Sequence, residues 1–206
     1  RPGRQVGAAI ARDARGADGS LLPSGGGPSG ARGEGRARVA LDLILAAIAV
    51  AALSGLASFA FPKSSARGQR ASVCVLVLAC VAGSIGAFMG ILEPASASVL
   101  LPWKAVGDSL LGLDSLSAFF LMPVFLVGGL ASIYGLGYWP QPKNPRTGRR
   151  LQLFFGLLVA GMATLLIARH ALAFLIGWEV MALSAFFLVS IEDDRAESRR
   201  AGFIYI

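Results

Sequence analysis

The chain has 206 residues, of which 55% are hydrophobic and 15% charged, and its mean hydropathy is +0.65. These values lie outside the range of soluble globular domains and indicate an all-α, polytopic membrane protein, which excludes a soluble enzyme. The formal net charge of +7 does not indicate nucleic-acid binding, because the basic residues lie in short segments between apolar runs, as is typical of membrane topology.

The first 38 residues are rich in Arg, Gly, Ala, Ser and Pro. They lack the apolar content that offsets the entropy of ordering, so we expect residues 1–38 to form a disordered basic tail. The first methionine of the chain is Met89. One hypothesis is therefore that the tail is upstream sequence translated in frame and not native, with the true start near Val39 or Leu41.

Two apolar segments, residues 39–61 and 71–92, have the length of the first two membrane spans. Within the second, Gly83, Gly86 and Gly90 follow the spacing of one helix face. Small residues on one face allow two helix backbones to approach closely. We therefore predict that this face packs against a neighbouring helix.

A polar, mixed connection over residues 95–111 leads into the third span, residues 113–138. Asp114 or Ser115 suits the N-terminal end of that helix, because a side-chain oxygen there accepts hydrogen bonds from free backbone N–H groups. We predict that one of these two residues caps the helix.

Residues 151–191 are apolar over about twice the length of one span. We predict two helices here, residues 151–168 and 171–190, with a turn at Arg169 and His170. A charged loop follows, and the apolar residues 201–206 are the expected start of a sixth helix. Residues 39–206 are thus expected to form one domain, a bundle of five transmembrane helices plus the start of a sixth.

The distribution of basic residues predicts the orientation in the membrane. The loops after the first, third and fifth spans hold ten Lys and Arg residues, whereas those after the second and fourth hold only Lys104 and Arg169. Basic loops stay in the cytoplasm, so the odd-numbered loops are predicted to be cytoplasmic. Arg32, Arg36 and Arg38 beside the first span conflict with this orientation.

Most polar residues of the spans indicate no chemistry. Cys74 and Cys80 lie six residues apart in one apolar segment and face different directions, so neither a disulfide nor a metal site is expected. His170, the sole histidine, is interpreted as a boundary residue, with a role in proton access as the alternative. Haem or zinc would need ligands that this sequence does not supply, so we expect no cofactor and no metal.

Glu179 is the one charge that lies deep in an apolar segment, about 12 Å along a helix from Ala171. A charge at that depth costs roughly 2.5–3.5 kcal/mol on insertion scales. Glu179 is therefore predicted to be a protonatable group on an ion path. The alternative is a carboxylate that hydrogen-bonds a neighbour for packing. No deep Lys or Arg is present in these five spans, so its partner is expected on another helix or subunit.

Three runs of residues resemble a known family. They are Gly177-Trp-Glu-Val-Met-Ala-Leu-Ser-Ala-Phe-Phe-Leu188, Arg199-Arg-Ala-Gly-Phe-Ile-Tyr205 and Gly112-Leu-Asp-Ser-Leu-Ser-Ala-Phe-Phe120. Together they are similar to the antiporter-like membrane subunits shared by respiratory complex I, multisubunit sodium/proton antiporters and membrane-bound hydrogenases. The first two most resemble subunits of the hydrogenase-4 component B and formate hydrogenlyase subunit 3 type. The resemblance covers about residues 39–206.

The resemblance implies a multi-pass subunit of the bacterial inner membrane that translocates protons within an oxidoreductase complex and has no redox active site of its own. Glu179 matches the glutamate that pairs with a lysine on the next helix in this family. The sequence ends at Ile206, before such a lysine, and is expected to be an N-terminal fragment. The implied partners are other membrane subunits of a hydrogenase-like or complex I-like assembly, the lipid bilayer, and protons or sodium ions.

Two other functions remain open at the level of sequence. A sodium/proton antiporter subunit would use Glu179 in the same way and differ in the coupled ion. A non-conducting membrane anchor or assembly subunit would use Glu179 as a structural hydrogen bond.

Overall fold

The computed structural model describes residues 28–93, 96–101, 109–191, 200, 202 and 204. The chain divides into two compact units, Arg1–Arg32 and Gly33–Ile206. The second unit contains the membrane bundle and both strands.

Five α-helices make up most of the described chain, and the first continues into a 3₁₀ helix, Gly55–Ala60. In chain order they are α1 (Pro28–Ser54), α2 (Ala66–Leu92), α3 (Ser115–Tyr138), α4 (Gly148–Ile167) and α5 (Ala171–Val189). Between α2 and α3, strands β1 (Ala97–Leu101) and β2 (Ser109–Leu113) pair in antiparallel orientation, with Val99 opposite Leu111.

All five helical segments within the described residues are long and apolar enough to cross a membrane. Each has 19 to 28 residues, and they cover Gly33–Ala60, Ala66–Leu92, Ser115–Tyr138, Gly148–Ile167 and Ala171–Val189. The predicted all-α, polytopic fold with five spans is confirmed.

Glycines let α2 pack closely on two neighbouring helices. A Cβ atom at Gly83 would lie 2.5 Å from the ring of Phe125 on α3, which is fully buried. A Cβ atom at Gly86 would lie 2.9 Å from the carbonyl oxygen of Ala40 on α1. The predicted glycine-mediated packing is confirmed, and the glycine face divides between α1 and α3 because Gly86 points about 60° away from Gly83 around the helix.

The connections between the helices lie at two opposite ends of the bundle. At one end Arg149, at the start of α4, donates a hydrogen bond to the carbonyl of Phe61, which follows the 3₁₀ helix. At the other end Arg36 of α1 lies 3.3 Å from Glu93, which follows α2. The loops after spans one and three therefore lie at the same end of the bundle. This agrees with the prediction, from their basic residues, that both loops are on one side of the membrane. Lys104 and residues 192–199 lie outside the described residues.

Helix α1 begins earlier than the sequence indicates. A disordered tail was expected over residues 1–38, but residues 28–38 belong to α1, whereas residues 1–27 lie outside the described part. The helix formers Arg36, Ala37 and Arg38 extend the apolar segment. The contact of Arg36 with Glu93 also anchors this part of α1 to the end of α2. Glu93 balances the charge of Arg36, which is one of the three arginines that conflict with the predicted orientation.

The connection after α2 is more ordered than the sequence suggests. Residues 97–101 and 109–113 form two paired strands, where we expected a polar, mixed connection over residues 95–111. Each strand is a short apolar run, and pairing satisfies the backbone groups that such a run would otherwise leave unbonded at the membrane boundary. Of the predicted sixth helix, Gly202 and Ile204 are helical, while residues 201, 203, 205 and 206 lie outside the described part.

Candidate functional site

The turn that leads into α5 is held against the β-hairpin. The backbone N–H of Arg169 donates to the carbonyl of Leu110 at 2.9 Å, and Leu111 forms an isolated β-bridge with Ala168. His170 is the N-cap of α5, where its Nδ1 accepts a hydrogen bond from the backbone N–H of Leu172 at 3.3 Å. His170 thus lies at the helix boundary, as its preferred interpretation predicts.

Helix α5 packs on α4 through small residues. A Cβ atom at Gly161 of α4 would lie 2.9 Å from the backbone nitrogen of Met181, and one at Gly177 of α5 would lie 3.3 Å from Thr164. The rings of Phe154 and Phe187 stack with 4.4 Å between their centroids. The buried face of α5 consists of Ala173, Gly177 and Ser184.

Glu179 lies on the opposite face of α5 from these buried residues. Two residues beyond Gly177, its Cα is rotated by about 200° around the helix axis. It is exposed, and the residues one turn before and after it are Leu175, 57% exposed, and Leu183, 53% exposed. At 1.5 Å per residue it is about 12 Å from Ala171 and about 15 Å from Val189. Glu179 is therefore a mid-membrane carboxylate that points away from α4.

Helix α5 is the least covered helix of the described bundle. Only 17% of its apolar membrane-spanning stretch is buried, compared with 39% in each of the other four helical segments. Neither ion pair found among the described residues includes Glu179. A carboxylate on a lipid-facing surface at this depth is unfavourable by several kcal/mol. An ionised carboxylate in such a position is stabilised when a hydrogen-bond donor or a cation lies beside it.

A second set of charged residues lies where α4 ends and α5 begins. Arg169 Nη2 is 2.7 Å from Asp114 Oδ2 and donates to Ser117 Oγ at 3.1 Å. Asp114 caps α3 by accepting a hydrogen bond from the backbone N–H of Ser117 at 2.7 Å, which confirms the predicted cap. This N–H lowers the pKa of Asp114 most, and the Ser117 hydroxyl and the Arg169 guanidinium lower it further, so the pKa lies below its usual range. The arrangement fixes two connections at one membrane boundary and is structural.

The pairing of Asp114 with Arg169 was not predicted from the sequence. Asp114 was predicted at the start of the third span and Arg169 in the turn before the fifth, so both were assigned to the same outer end of the bundle. The two residues are more than fifty positions apart in the chain, so their contact depends on how the helices pack.

Comparison with known proteins identifies a partial relative. Over 98 residues, or 48% of this chain, the sequence is 33% identical to hydrogenase-4 component B of Escherichia coli (strain K12). The match spans only 14% of that protein's length. No profile of a known protein family matches the chain. The five apolar helices and this relative support a multi-pass membrane protein that resembles a subunit of a multisubunit complex.

Proposed function

We propose that this chain belongs to a proton-translocating membrane subunit of a hydrogenase-4-like or complex I-like assembly in the bacterial cell membrane. Glu179 is the residue that exchanges its proton or its ion-pair partner during translocation. The chain contributes no redox site, and electron transfer takes place on other subunits.

The position of Glu179 is the observation that carries this proposal. A packing carboxylate would be expected on the face that α5 buries against α4, beside Gly177 and Ser184. Glu179 lies on the uncovered face instead, in the middle of the span and between two exposed leucines. A carboxylate placed there can change its charge state when a cation on a covering helix approaches or withdraws.

The similarity to hydrogenase-4 component B supports the proposed assembly. That protein is named as a component of a hydrogenase, and the match includes about half of this chain. Ionisable groups within the bilayer mark proton and ion pathways, so a membrane subunit without its own redox group can use one to couple electron transfer elsewhere to ion movement. Glu179 supplies this group.

The substitution Glu179→Gln in the assembled complex tests the proposal. Glutamine keeps the size and the hydrogen-bonding capacity of the side chain but cannot change its charge. We expect proton translocation into membrane vesicles to be abolished or sharply reduced, while the subunit composition of the complex is unchanged. Full translocation by the assembled variant would refute the role of Glu179.

The same variant separates the other two functions. In a sodium/proton antiporter subunit, the wild-type protein would move protons only when sodium is present. Glu179→Gln would abolish this sodium-dependent movement. In a membrane anchor, Glu179→Gln would have no effect on transport, whereas Gly86→Leu, which disrupts the packing of α2 on α1, would impair assembly.

A further inference from the structure

A basic cavity of about 500 Å³ lies at the predicted cytoplasmic end of the bundle, between the end of the 3₁₀ helix and the start of α4. Its volume falls in the range of roughly 300–1,000 Å³ that is typical of small-molecule sites. Four cationic side chains line it together with Phe59 and Thr147, namely Lys63, Arg146, Arg149 and Arg150.

The walls of this cavity are held in place by hydrogen bonds. The carbonyl of Lys63 accepts a hydrogen bond from Nε2 of Gln141, a fully buried side chain, at 3.0 Å. Trp139 Nε1 donates to Thr147 Oγ1 at 3.3 Å. The guanidinium of Arg149 donates to the carbonyl of Phe61 and lies 5.3 Å from the centroid of the Phe59 ring. The cavity is therefore preformed, and Arg149 is fixed in its wall.

The charge of the cavity is unbalanced. The segments 61–70 and 139–150 contain seven Lys and Arg residues and no Asp or Glu. Among the described residues, neither of the two ion pairs involves a residue of the cavity. Arg149 is half-buried, and burying an unpaired cation is unfavourable unless an anion lies beside it.

The cavity opens beside a lipid-facing surface. Leu53, Leu56 and Phe59 at the end of the first span are 60%, 50% and 52% exposed. Phe59 belongs both to this surface and to the lining of the cavity. An occupant can therefore place an anionic group among the cations and apolar chains along these side chains. A free phosphate ion would use only the first of these two features.

The geometry points to a binding site for the headgroup of an anionic glycerophospholipid in the cytoplasmic leaflet. The phosphate is held by Lys63, Arg146, Arg149 and Arg150, and the acyl chains run along the apolar surface that ends at Phe59. Basic pockets between transmembrane helices on the cytoplasmic side suit such headgroups. This site does not depend on the proposed role of Glu179.

Native mass spectrometry of the detergent-solubilised chain with added phosphatidylglycerol or phosphatidylcholine tests the inference. The wild-type protein should retain phosphatidylglycerol in preference to phosphatidylcholine. The double variant Arg146→Gln/Arg150→Gln alters two exposed side chains of the cavity and should fold normally. A loss of about fivefold in affinity per cation, or about twenty-fivefold for the double variant, is expected.

The control is the double variant Arg67→Gln/Lys143→Gln, which removes two exposed cations from the same end of the bundle outside the cavity. It should retain phosphatidylglycerol much better than Arg146→Gln/Arg150→Gln, because neither altered side chain lines the cavity. An equal loss in both double variants would overturn the inference, since the effect would then be one of net charge. Equal retention of the two lipids by the wild-type protein would also overturn it.

Two further outcomes assign the cavity to another anion. Displacement of phosphatidylglycerol by inorganic phosphate at equal concentration would identify a site for free anions and overturn the lipid assignment. The charged loop after α5 holds Glu192, Asp193 and Asp194, which lie outside the described residues. If phosphatidylglycerol bound only after all three were changed to their amides, the cavity would hold this loop and the inference would fail.

Discussion

The guanidinium of Arg169 and the carboxylate of Asp114 form an ion pair, with 2.7 Å between Nη2 and Oδ2. The other oxygen of the same carboxylate, Oδ1, caps α3 through the backbone N–H of Ser117. The Asp114 side chain thus caps α3, directly after the hairpin, and also binds the turn between α4 and α5 through Arg169. The ion pair is partly exposed, so its own contribution to stability is small, and the cap is the larger one.

Substitutions of Asp114 separate these two contributions. Asn is as good an N-cap as Asp, so Asp114→Asn should lose only the ion pair and reduce stability by less than about 1 kcal/mol. Asp114→Ala loses both and should destabilise the protein by roughly 1–2 kcal/mol. The thermal midpoint in detergent measures this difference. Equal midpoints for the two variants would show that the cap contributes nothing.

The same carboxylate makes stability depend on pH. Its pKa is lower in the folded protein than in the unfolded chain, chiefly through the backbone N–H of Ser117 and further through the Ser117 hydroxyl and Arg169. Its contribution is therefore fully present above about pH 4 and is lost as the pH falls through the lowered pKa of the folded state. Thermal midpoints measured on descending pH should fall less in Asp114→Asn than in the wild type. Parallel curves for the two proteins would contradict this assignment.

Gly83 is predicted to be intolerant of any side chain. A Cβ atom there would lie 2.5 Å from the buried ring of Phe125, so Gly83→Ala should destabilise the bundle by about 1–3 kcal/mol. Gly135, near the end of α3, has no atom within 4 Å of the corresponding position among the described residues. Gly135→Ala should be neutral or slightly stabilising because Ala favours the helix. Urea or thermal unfolding in detergent measures the stability of both variants. A Gly135→Ala protein less stable than Gly83→Ala would contradict this prediction.

Gln69 joins α2 to the connection after α3 at the predicted cytoplasmic end. Its Nε2 donates to the carbonyl of Trp139 at 3.0 Å, and its Oε1 accepts the backbone N–H of Gln141 at 2.8 Å. Because Gln69 is only 3% exposed, Gln69→Leu would leave buried backbone groups unbonded and should cost about 1–3 kcal/mol. Lys143→Ala, in the same loop but exposed, is the control for a loss of side-chain atoms. Similar midpoints for the two variants would show that the bonds of Gln69 do not stabilise this end.

The features that were predictable from the sequence are local. The five spans follow from apolar runs of membrane length, and the cap at Asp114 follows from a polar residue directly before such a run. The spacing of Gly83, Gly86 and Gly90 gave the packing face of α2 but not its two partners. The length of α1 was underestimated because its contact with Glu93 links residues far apart in the chain.

The features that were missed depend on tertiary contacts. The hairpin consists of two apolar runs too short to be recognised as strands without their pairing, and Arg169 meets Asp114 only because α4 returns to the end where α3 begins. The basic cavity likewise joins Lys63, in the connection after the first span, with Arg149 at the start of α4. The place of Glu179 within its apolar segment was readable from the sequence, whereas its exposure on the face of α5 away from α4 depends on how the two helices pack.

The ratio of protons translocated to electrons transferred, measured in the same vesicles, tests the role of Glu179 most directly. This ratio distinguishes a loss of coupling from a loss of turnover. The control is Glu93→Gln, which removes a carboxylate at the membrane boundary and should leave the ratio unchanged. We expect Glu179→Gln to lower the ratio while electron transfer and assembly persist. A wild-type ratio in Glu179→Gln would contradict the proposed function.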